Sequence, residues 1–89
     1  MRLLGRRARE TFCLENTTSD LLTVMIEVVP DRYVLQRGDK MEIDADTQGV
    51  PFHLAIFEGG VQIYAGNDSK PKVRINGKFA EPDWSTDDP

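Results

Sequence analysis

Apolar and polar side chains alternate along most of this chain with a period of two residues, the pattern of β-strands that bury one face. The clearest example is KMEIDAD at residues 40–46, where Met41, Ile43 and Ala45 alternate with charged residues. Four further segments predict strands with these inward-facing residues: Leu22, Val24, Ile26 and Val28; Phe52, Leu54 and Ile56; Val61, Ile63 and Ala65; Val73 and Ile75. Two shorter strands are predicted at residues 11–16 and 32–35, and no segment has the spacing of an amphipathic helix.

Turn-forming residues separate the predicted strands. NTTSD at residues 16–20 and GNDSKP at residues 66–71 are rich in side chains that bond to the local backbone. Gly59 and Gly60 predict a hairpin with a two-residue loop, which sets Ile56 opposite Ile63. In that register the apolar side chains of both strands share one face.

Asn76 and Gly77 form a second hairpin signal, but the register of the flanking residues conflicts with it. A two-residue loop would set Arg74 opposite Phe79 and place Phe79 on the polar side of the preceding strand. Either Phe79 is exposed or the turn is not a simple hairpin. We predict the second: the strand ends near Asn76, and Phe79 packs back from an irregular segment.

About seven short strands, each with one apolar face, must cover one another. The sequence therefore predicts an all-β fold, a small antiparallel β-sandwich of immunoglobulin-like architecture, with a small β-barrel as the alternative. The disulfide and core tryptophan of antibody domains are missing, because Cys13 stands alone and Trp84 lies in an acidic segment. The likeness is one of architecture and implies no function.

The charged residues divide the chain into three parts. Its 89 residues, 39% hydrophobic and 29% charged, suit one soluble domain. Residues 1–10 carry four arginines against one glutamate, whereas residues 81–89 carry four acidic residues and no basic one. We predict a flexible basic arm at 1–10, the sandwich at 11–80 and a flexible acidic tail at 81–89. A basic arm that touches nucleic acid or lipid, or an attraction between the two ends, is the alternative.

The partner class and compartment follow from the same composition. Four arginines supply few phosphate contacts and the acidic body opposes them, which argues against direct nucleic-acid binding. The single cysteine, Cys13, cannot form an internal disulfide, and residues 1–10 lack the apolar core of a secretory signal. No run approaches the roughly 20 apolar residues of a membrane span. We expect a cytoplasmic protein.

Residues suited to catalysis or metal binding are few. A blue-copper site requires two histidines and a cysteine, and the chain has one histidine, His53, and one cysteine, Cys13. A Cys–His hydrolytic pair would need these two residues to be adjacent in space. Alternating carboxylates on residues 42–46 resemble a cation cluster, but along a strand they lie about 6–7 Å apart and do not converge. We predict a non-enzymatic protein with no metal and no cofactor.

The candidate site is a partly apolar sheet face. If Phe52, Leu54 and Ile56 point inward, the outer face carries the candidate partner-binding residues His53, Phe57, Gln62 and Tyr64. The predicted register sets Phe57 opposite Gln62 and Ala55 opposite Tyr64.

Two explanations compete for this face. The segment with Phe79 and Trp84 covers it within the chain, or a second subunit or another protein covers it. We predict a module for protein interaction or self-association, including a homodimer through an exposed sheet face or edge. The alternative is a small ligand-binding or enzymatic domain with a site near His53 and Tyr64.

The tripeptide Arg37, Gly38, Asp39 matches the motif that adhesion receptors recognise. It stands between the end of one predicted strand and the start of KMEIDAD, where the chain must reverse. Glycine is favoured there because it accepts a positive φ, and polar neighbours suit a surface turn. We therefore interpret the tripeptide as a turn.

Overall fold

The computed structural model describes residues 9–27, 30–68 and 70–83. These residues form eight strands: β1 Arg9–Glu15, β2 Leu22–Glu27, β3 Asp31–Leu35, β4 Lys40–Asp46, β5 His53–Phe57, β6 Gly60–Tyr64, β7 Lys72–Ile75 and β8 Lys78–Phe79. Sheet A has the strand order β1-β4-β7-β8, and sheet B has the order β3-β2-β6-β5. Within the same ranges, no helix is long and apolar enough to cross a membrane.

The inner faces of the two sheets share one hydrophobic core. Sheet A contributes Met41, Ile43, Ala45 and Val73, sheet B contributes Val24, Ile26, Tyr33, Leu35, Val61 and Ile63, and Ala65 follows β6. The inward residues of KMEIDAD are completely buried. Each large aliphatic side chain buried in this way contributes about 1.5–3 kcal/mol. The predicted small β-sandwich is confirmed, and the two separate sheets rule out the barrel alternative in the described chain.

One strand pairing departs from the antiparallel arrangement. Five of the six pairings are antiparallel, but β2 and β6 at the centre of sheet B run parallel, with Val24 beside Val61 and Ile26 beside Ile63. Parallel neighbours cannot be joined by a hairpin. The chain between them passes through β3, β4 and β5, so this pairing joins segments that are far apart in the sequence.

The β5–β6 hairpin forms in a register shifted from the predicted one. Its loop is Glu58 and Gly59, with Ile56 opposite Val61 and Leu54 opposite Ile63. Gly59 alone takes the positive φ, 86°, that the turn requires, so Gly60 is free to enter β6. The shift is two residues in the pairing, and the apolar residues therefore still share a face.

The prediction that Leu54 and Ile56 are buried is wrong. Both lie on the core side of sheet B, yet they are 37% and 79% exposed. The reason is that β5 is the outermost strand, and sheet A does not extend over it. Phe52, predicted to face inward with them, does pack against the core, with its ring centroid 5.3 Å from that of Phe12.

The β7–β8 hairpin also corrects the sequence prediction. Asn76 and Gly77 both have positive φ, 54° and 84°, as in a type I′ turn, and Arg74 pairs with Phe79. Phe79 therefore belongs to a regular strand and is 71% exposed rather than packed back from an irregular segment. The guanidinium of Arg74 lies over its ring, 5.4 Å from the centroid, which partly covers the exposed face.

Both ends of the described chain are attached to the sandwich. β1 begins at Arg9, before the strand predicted from Thr11, and Arg9 forms an ion pair of 3.2 Å with Asp44. At the other end the backbone N–H of Asp83 donates to the carbonyl of Arg32 on β3, and Arg32 Nη1 donates to the carbonyl of Asp83 at 3.1 Å. Residues 1–8, 28–29, 69 and 84–89 lie outside the described residues. They include Val28, which was predicted to face inward, and Trp84, which was predicted as part of a cover for the outer face.

Candidate protein-interaction surface

The outer face of sheet B carries the four residues predicted to bind a partner. The strand registers arrange this face in three cross-strand rows: Val34, Thr23, Gly60 and Phe57; Arg32, Met25, Gln62 and Ala55; Glu27, Tyr64 and His53. We call these residues the outer patch. Since alternation along a strand decides the face, the shift of two residues leaves His53, Phe57, Gln62 and Tyr64 together on the side predicted for them.

The pairings inside the outer patch differ from the prediction. Tyr64 faces His53 rather than Ala55, and Gln62 faces Ala55 rather than Phe57. The rings of His53 and Tyr64 meet edge to face, with centroids 5.7 Å apart. This arrangement is favourable for two aromatic rings and holds both at the open end of the row.

Phe57 lies opposite a residue without a side chain. A Cβ atom added to Gly60 would lie 2.7 Å from Cζ of Phe57, so the phenyl ring occupies the space above Gly60. The ring nevertheless remains 42% exposed. The absence of a side chain at Gly60 therefore leaves room for the ring of Phe57 on the outer patch.

Met25 and Glu27 join the patch from β2, and the sequence did not indicate that they would. Nε2 of Gln62 donates to Oε2 of Glu27 at 2.9 Å across the parallel pair, and Met25 lies half-buried beside Gln62. Alternation did predict that both residues of β2 lie opposite its core face. Only the parallel pairing with β6, which no local pattern signals, brings them next to Gln62 and Tyr64.

The described chain leaves Phe57 and Tyr64 of the outer patch exposed, while Arg32, at the other side of the patch, donates a hydrogen bond to the carbonyl of Asp83. Tyr64 is 37% exposed. Phe79, one of the two residues predicted to cover this face, lies on sheet A in contact with Arg74. Trp84, the other expected cover, falls outside the described residues.

Cys13 and His53 lie in different sheets. Cys13 is an exposed thiol in β1 of sheet A, whereas His53 lies in β5 of sheet B. In the described ranges no three histidine, cysteine or acidic side chains are grouped to hold a metal ion. An open groove of about 480 Å³ adjoins Cys13 and is lined by Cys13, Leu14, Glu15, Lys40, Met41, Glu42, Asn76 and Gly77. Neither His53 nor Tyr64 borders this groove.

The outer face of sheet A has a different character from the outer patch. Glu42 is paired with Arg74 at 3.4 Å, and Asp44 with Arg9 at 3.2 Å. Glu42 and Asp44, two of the carboxylates predicted to lie along a solvated strand face, are thus each paired with a cation on a neighbouring strand. Alternating charges of this kind are usual for a sheet face that remains in water.

Arg37, Gly38 and Asp39 form a closed turn. The N–H of Asp39 donates to the carbonyl of Gln36 at 3.0 Å, and Gly38 has a φ of 86°, as required at the third position of a type II turn. The Asp39 carboxylate accepts the N–H of Gln36 at 2.8 Å and Nδ2 of Asn76 at 2.9 Å. One carboxylate oxygen is therefore engaged within the turn, and the other is engaged by Asn76 of the β7–β8 turn.

Comparison with known proteins gives no further guide. No family model matches the chain, and neither the curated proteins nor the solved structures contain a match. The functional assignment must therefore rest on the chemistry of the surfaces described above.

Proposed function

We propose that this chain is a non-enzymatic protein-interaction module that binds a partner protein, or a second copy of itself, through the outer patch of sheet B. One observation carries the proposal. Phe57 and Tyr64 are 42% and 37% exposed on a sheet face that also presents Met25 and Val34. Aromatic residues and methionine are the types enriched where proteins meet.

The contrast between the two outer faces supports this choice. Sheet A presents paired charges such as Arg74 with Glu42. The outer patch of sheet B has two rows that contain no acidic residue. In its third row the carboxylate of Glu27 accepts a hydrogen bond from Gln62. Apolar groups surrounded by satisfied polar groups form the usual layout of a contact surface, with an apolar centre and a polar rim.

The shape of the patch favours a macromolecule over a small ligand. Small-molecule sites are concave and enclose most of the ligand. The rings of His53 and Tyr64 instead meet edge to face on the outer side of β5 and β6. The concave groove lies beside Cys13 on sheet A, away from both rings. The open placement of His53 and Tyr64 among the described residues therefore supports a macromolecular partner over an enclosed small ligand. The exposed thiol of Cys13 supports a reducing compartment such as the cytoplasm as the place of action.

The test is affinity capture with the immobilised chain and two matched variants. Phe57→Ser combined with Tyr64→Ser removes the aromatic part of the outer patch, while Phe79→Ser removes an exposed aromatic ring from sheet A. We expect proteins retained by the wild-type chain and by Phe79→Ser to be lost from the double variant, with circular dichroism showing that all three remain folded. Identical retained proteins for all three chains would refute the proposal.

A further inference from the structure

The edge of β5 lacks the features that protect the other sheet edges. β1 carries charged residues at both ends, β8 has only two residues, and the edge of β3 is engaged by the backbone of Asp83. β5 reads HLAIF, with no lysine, no acidic residue and no proline. Sheet edges that remain monomeric usually carry charges or proline, are short, or are covered. By these criteria β5 is open to pairing with another strand.

The hydrogen bonds of β6 identify which backbone groups this edge offers. The N–H of Thr23 donates to the carbonyl of Gly59 at 3.2 Å, and the N–H of Ala65 donates to the carbonyl of Glu27 at 3.4 Å. Between these bonds, alternation turns the backbone groups of residues 61 and 63 toward β2 and those of 60, 62 and 64 toward β5. The β5 residues opposite them, 53, 55 and 57, therefore bond to β6. The N–H and C=O groups of Leu54 and Ile56 point away from the sheet.

We infer that β5 pairs antiparallel with β5 of a second copy, about a two-fold axis at Ala55. This register aligns all five residues of the strand and sets Leu54 of one copy opposite Ile56 of the other. The outward groups of these two residues then exchange hydrogen bonds in both symmetry-related pairs, and the two sheets B become one continuous sheet. Two-fold symmetry of this kind is the commonest in protein dimers.

A second copy fits this edge because the strand is self-complementary. Ile56 is 79% exposed and Leu54 is 37% exposed on the core side, and the pairing buries each against the other. On the outer side it sets Phe57 of one copy beside His53 of the other. Since β5 carries no formal charge at pH 7 apart from any on His53, no like charges meet within the pair.

The pairing also extends the surface of the proposed function. Row by row, the outer patch of one copy continues into that of the other, so that each patch gains both Phe57 and His53 from the second copy. The inference rests on the proposed function, since it names a second copy as a partner, but it uses the edge of β5 rather than the face of sheet B. Five residue pairs cover less than the roughly 1,200 Å² of a standard interface, so we expect a reversible dimer with a Kd of about micromolar or weaker.

Disulfide trapping tests the register. In a Cys13→Ser background, Ala55→Cys would place two thiols across the axis in a non-hydrogen-bonded pair, with Cα atoms about 4.5 Å apart, within the range a disulfide needs. The control His53→Cys lies on the same face and is more exposed, but the two copies of residue 53 would be about 13 Å apart along the strands. We expect a thiol oxidant to form the covalent dimer at least tenfold faster with Cys at position 55. Equal rates, or a faster reaction at position 53, would overturn the inference.

Sedimentation equilibrium of the full chain tests the pairing without an added cysteine. Ile56→Lys puts two cations beside the axis, and we expect it to weaken the dimer at least tenfold. Leu21→Lys, at a residue 63% exposed and outside β5, should leave the dimer unchanged. A wild-type chain that stays monomeric at millimolar concentration, or equal dimerisation of both variants, would overturn the inference.

The outcomes separate the two proposals. If the disulfide at position 55 forms readily but the variants of Phe57 and Tyr64 capture the same proteins as the wild-type chain, the edge pairing stands and the proposed function fails. If those variants lose their partners while the chain remains monomeric, the proposed function stands and the edge pairing fails.

Discussion

Replacing Asn16 tests how much one buried polar side chain contributes to this small sandwich. Asn16 is only 1% exposed and lies directly after β1. Its Nδ2 donates to the carbonyls of Asp20 and Leu35 at 2.9 and 3.0 Å, and its Oδ1 accepts from the N–H and hydroxyl of Thr18 at 2.9 and 2.7 Å. The amide therefore joins the loop of residues 16–20 to the end of β3.

The expected loss in the free energy of unfolding after Asn16→Ala depends on whether each hydrogen-bond partner of Asn16 can bind water instead. The groups of Thr18 and Asp20 are near the surface and can bind water, so the loss there is about 0.5 kcal/mol for each bond. The Leu35 carbonyl accepts its bond in a buried position and would lose it, at about 1–3 kcal/mol. We expect the free energy of unfolding to fall by about 3 kcal/mol, and Tm to fall by about 12–24 °C in a domain of this size.

Urea denaturation followed by circular dichroism measures the effect. Asn67→Ala is the matched control because Asn67 lies in an exposed turn position, where we expect a change below about 0.5 kcal/mol. Asn16→Asp keeps the shape of the side chain but turns an oxygen toward two carbonyl oxygens, so we expect at least as large a loss at neutral pH. If Asn16→Ala lies within about 0.5 kcal/mol of the wild-type chain, the hydrogen bonds of Asn16 do not hold the loop.

Three further predictions concern other residues. Gly60→Ala brings a methyl group against Phe57 and the backbone carbonyl of Thr23 in β2, so urea denaturation should show a loss of about 1–3 kcal/mol; an unchanged midpoint would contradict this, because both the ring and the β2 backbone would have to move without cost. Phe79→Ala should lower the free energy of unfolding by less than about 1 kcal/mol, because the ring is 71% exposed and its contact with a cation is at the surface; a loss above about 2 kcal/mol would contradict this. Burial, followed by the nearby carboxylates Asp31 and Glu81, raises the pKa of Tyr33 from 10.0 to about 12. The associated stability is present below about pH 10 and should be lost as the pH rises toward 12, a loss that Tyr33→Phe should abolish in denaturation curves measured across that range.

Local patterns located seven of the eight strands of the described chain, all except β8. The prediction from KMEIDAD coincides with β4, and Met41 and Ile43 face the core as expected. Alternation succeeds here because successive side chains leave a strand on opposite sides whatever its neighbours are. The same local chemistry explains the turn at Gly38, where only the backbone conformation matters.

Errors arose wherever burial depended on a distant strand. Ile56 has the same alternation as Ile43, yet it is 79% exposed because nothing in its own segment shows that β5 lies at an edge. The sequence predicts that Phe79 packs against the core, whereas the hairpin at Asn76 and Gly77 places it on the outer face of sheet A. In both cases the position of the strand in its sheet decided whether the side chain is buried or exposed.

The candidate site shows the same division. The sequence by itself determined that His53, Phe57, Gln62 and Tyr64 share one face, because a face depends only on whether residues are an even or odd number of positions apart. Their partners, and the presence of Met25 beside them, depend on the two-residue shift of the hairpin and on the parallel pairing of β2 with β6. Strand order brings together residues far apart in the chain, and it is settled by which faces can bury one another. The tertiary structure alone therefore decided which aromatic residues stay exposed and which strand edge remains open.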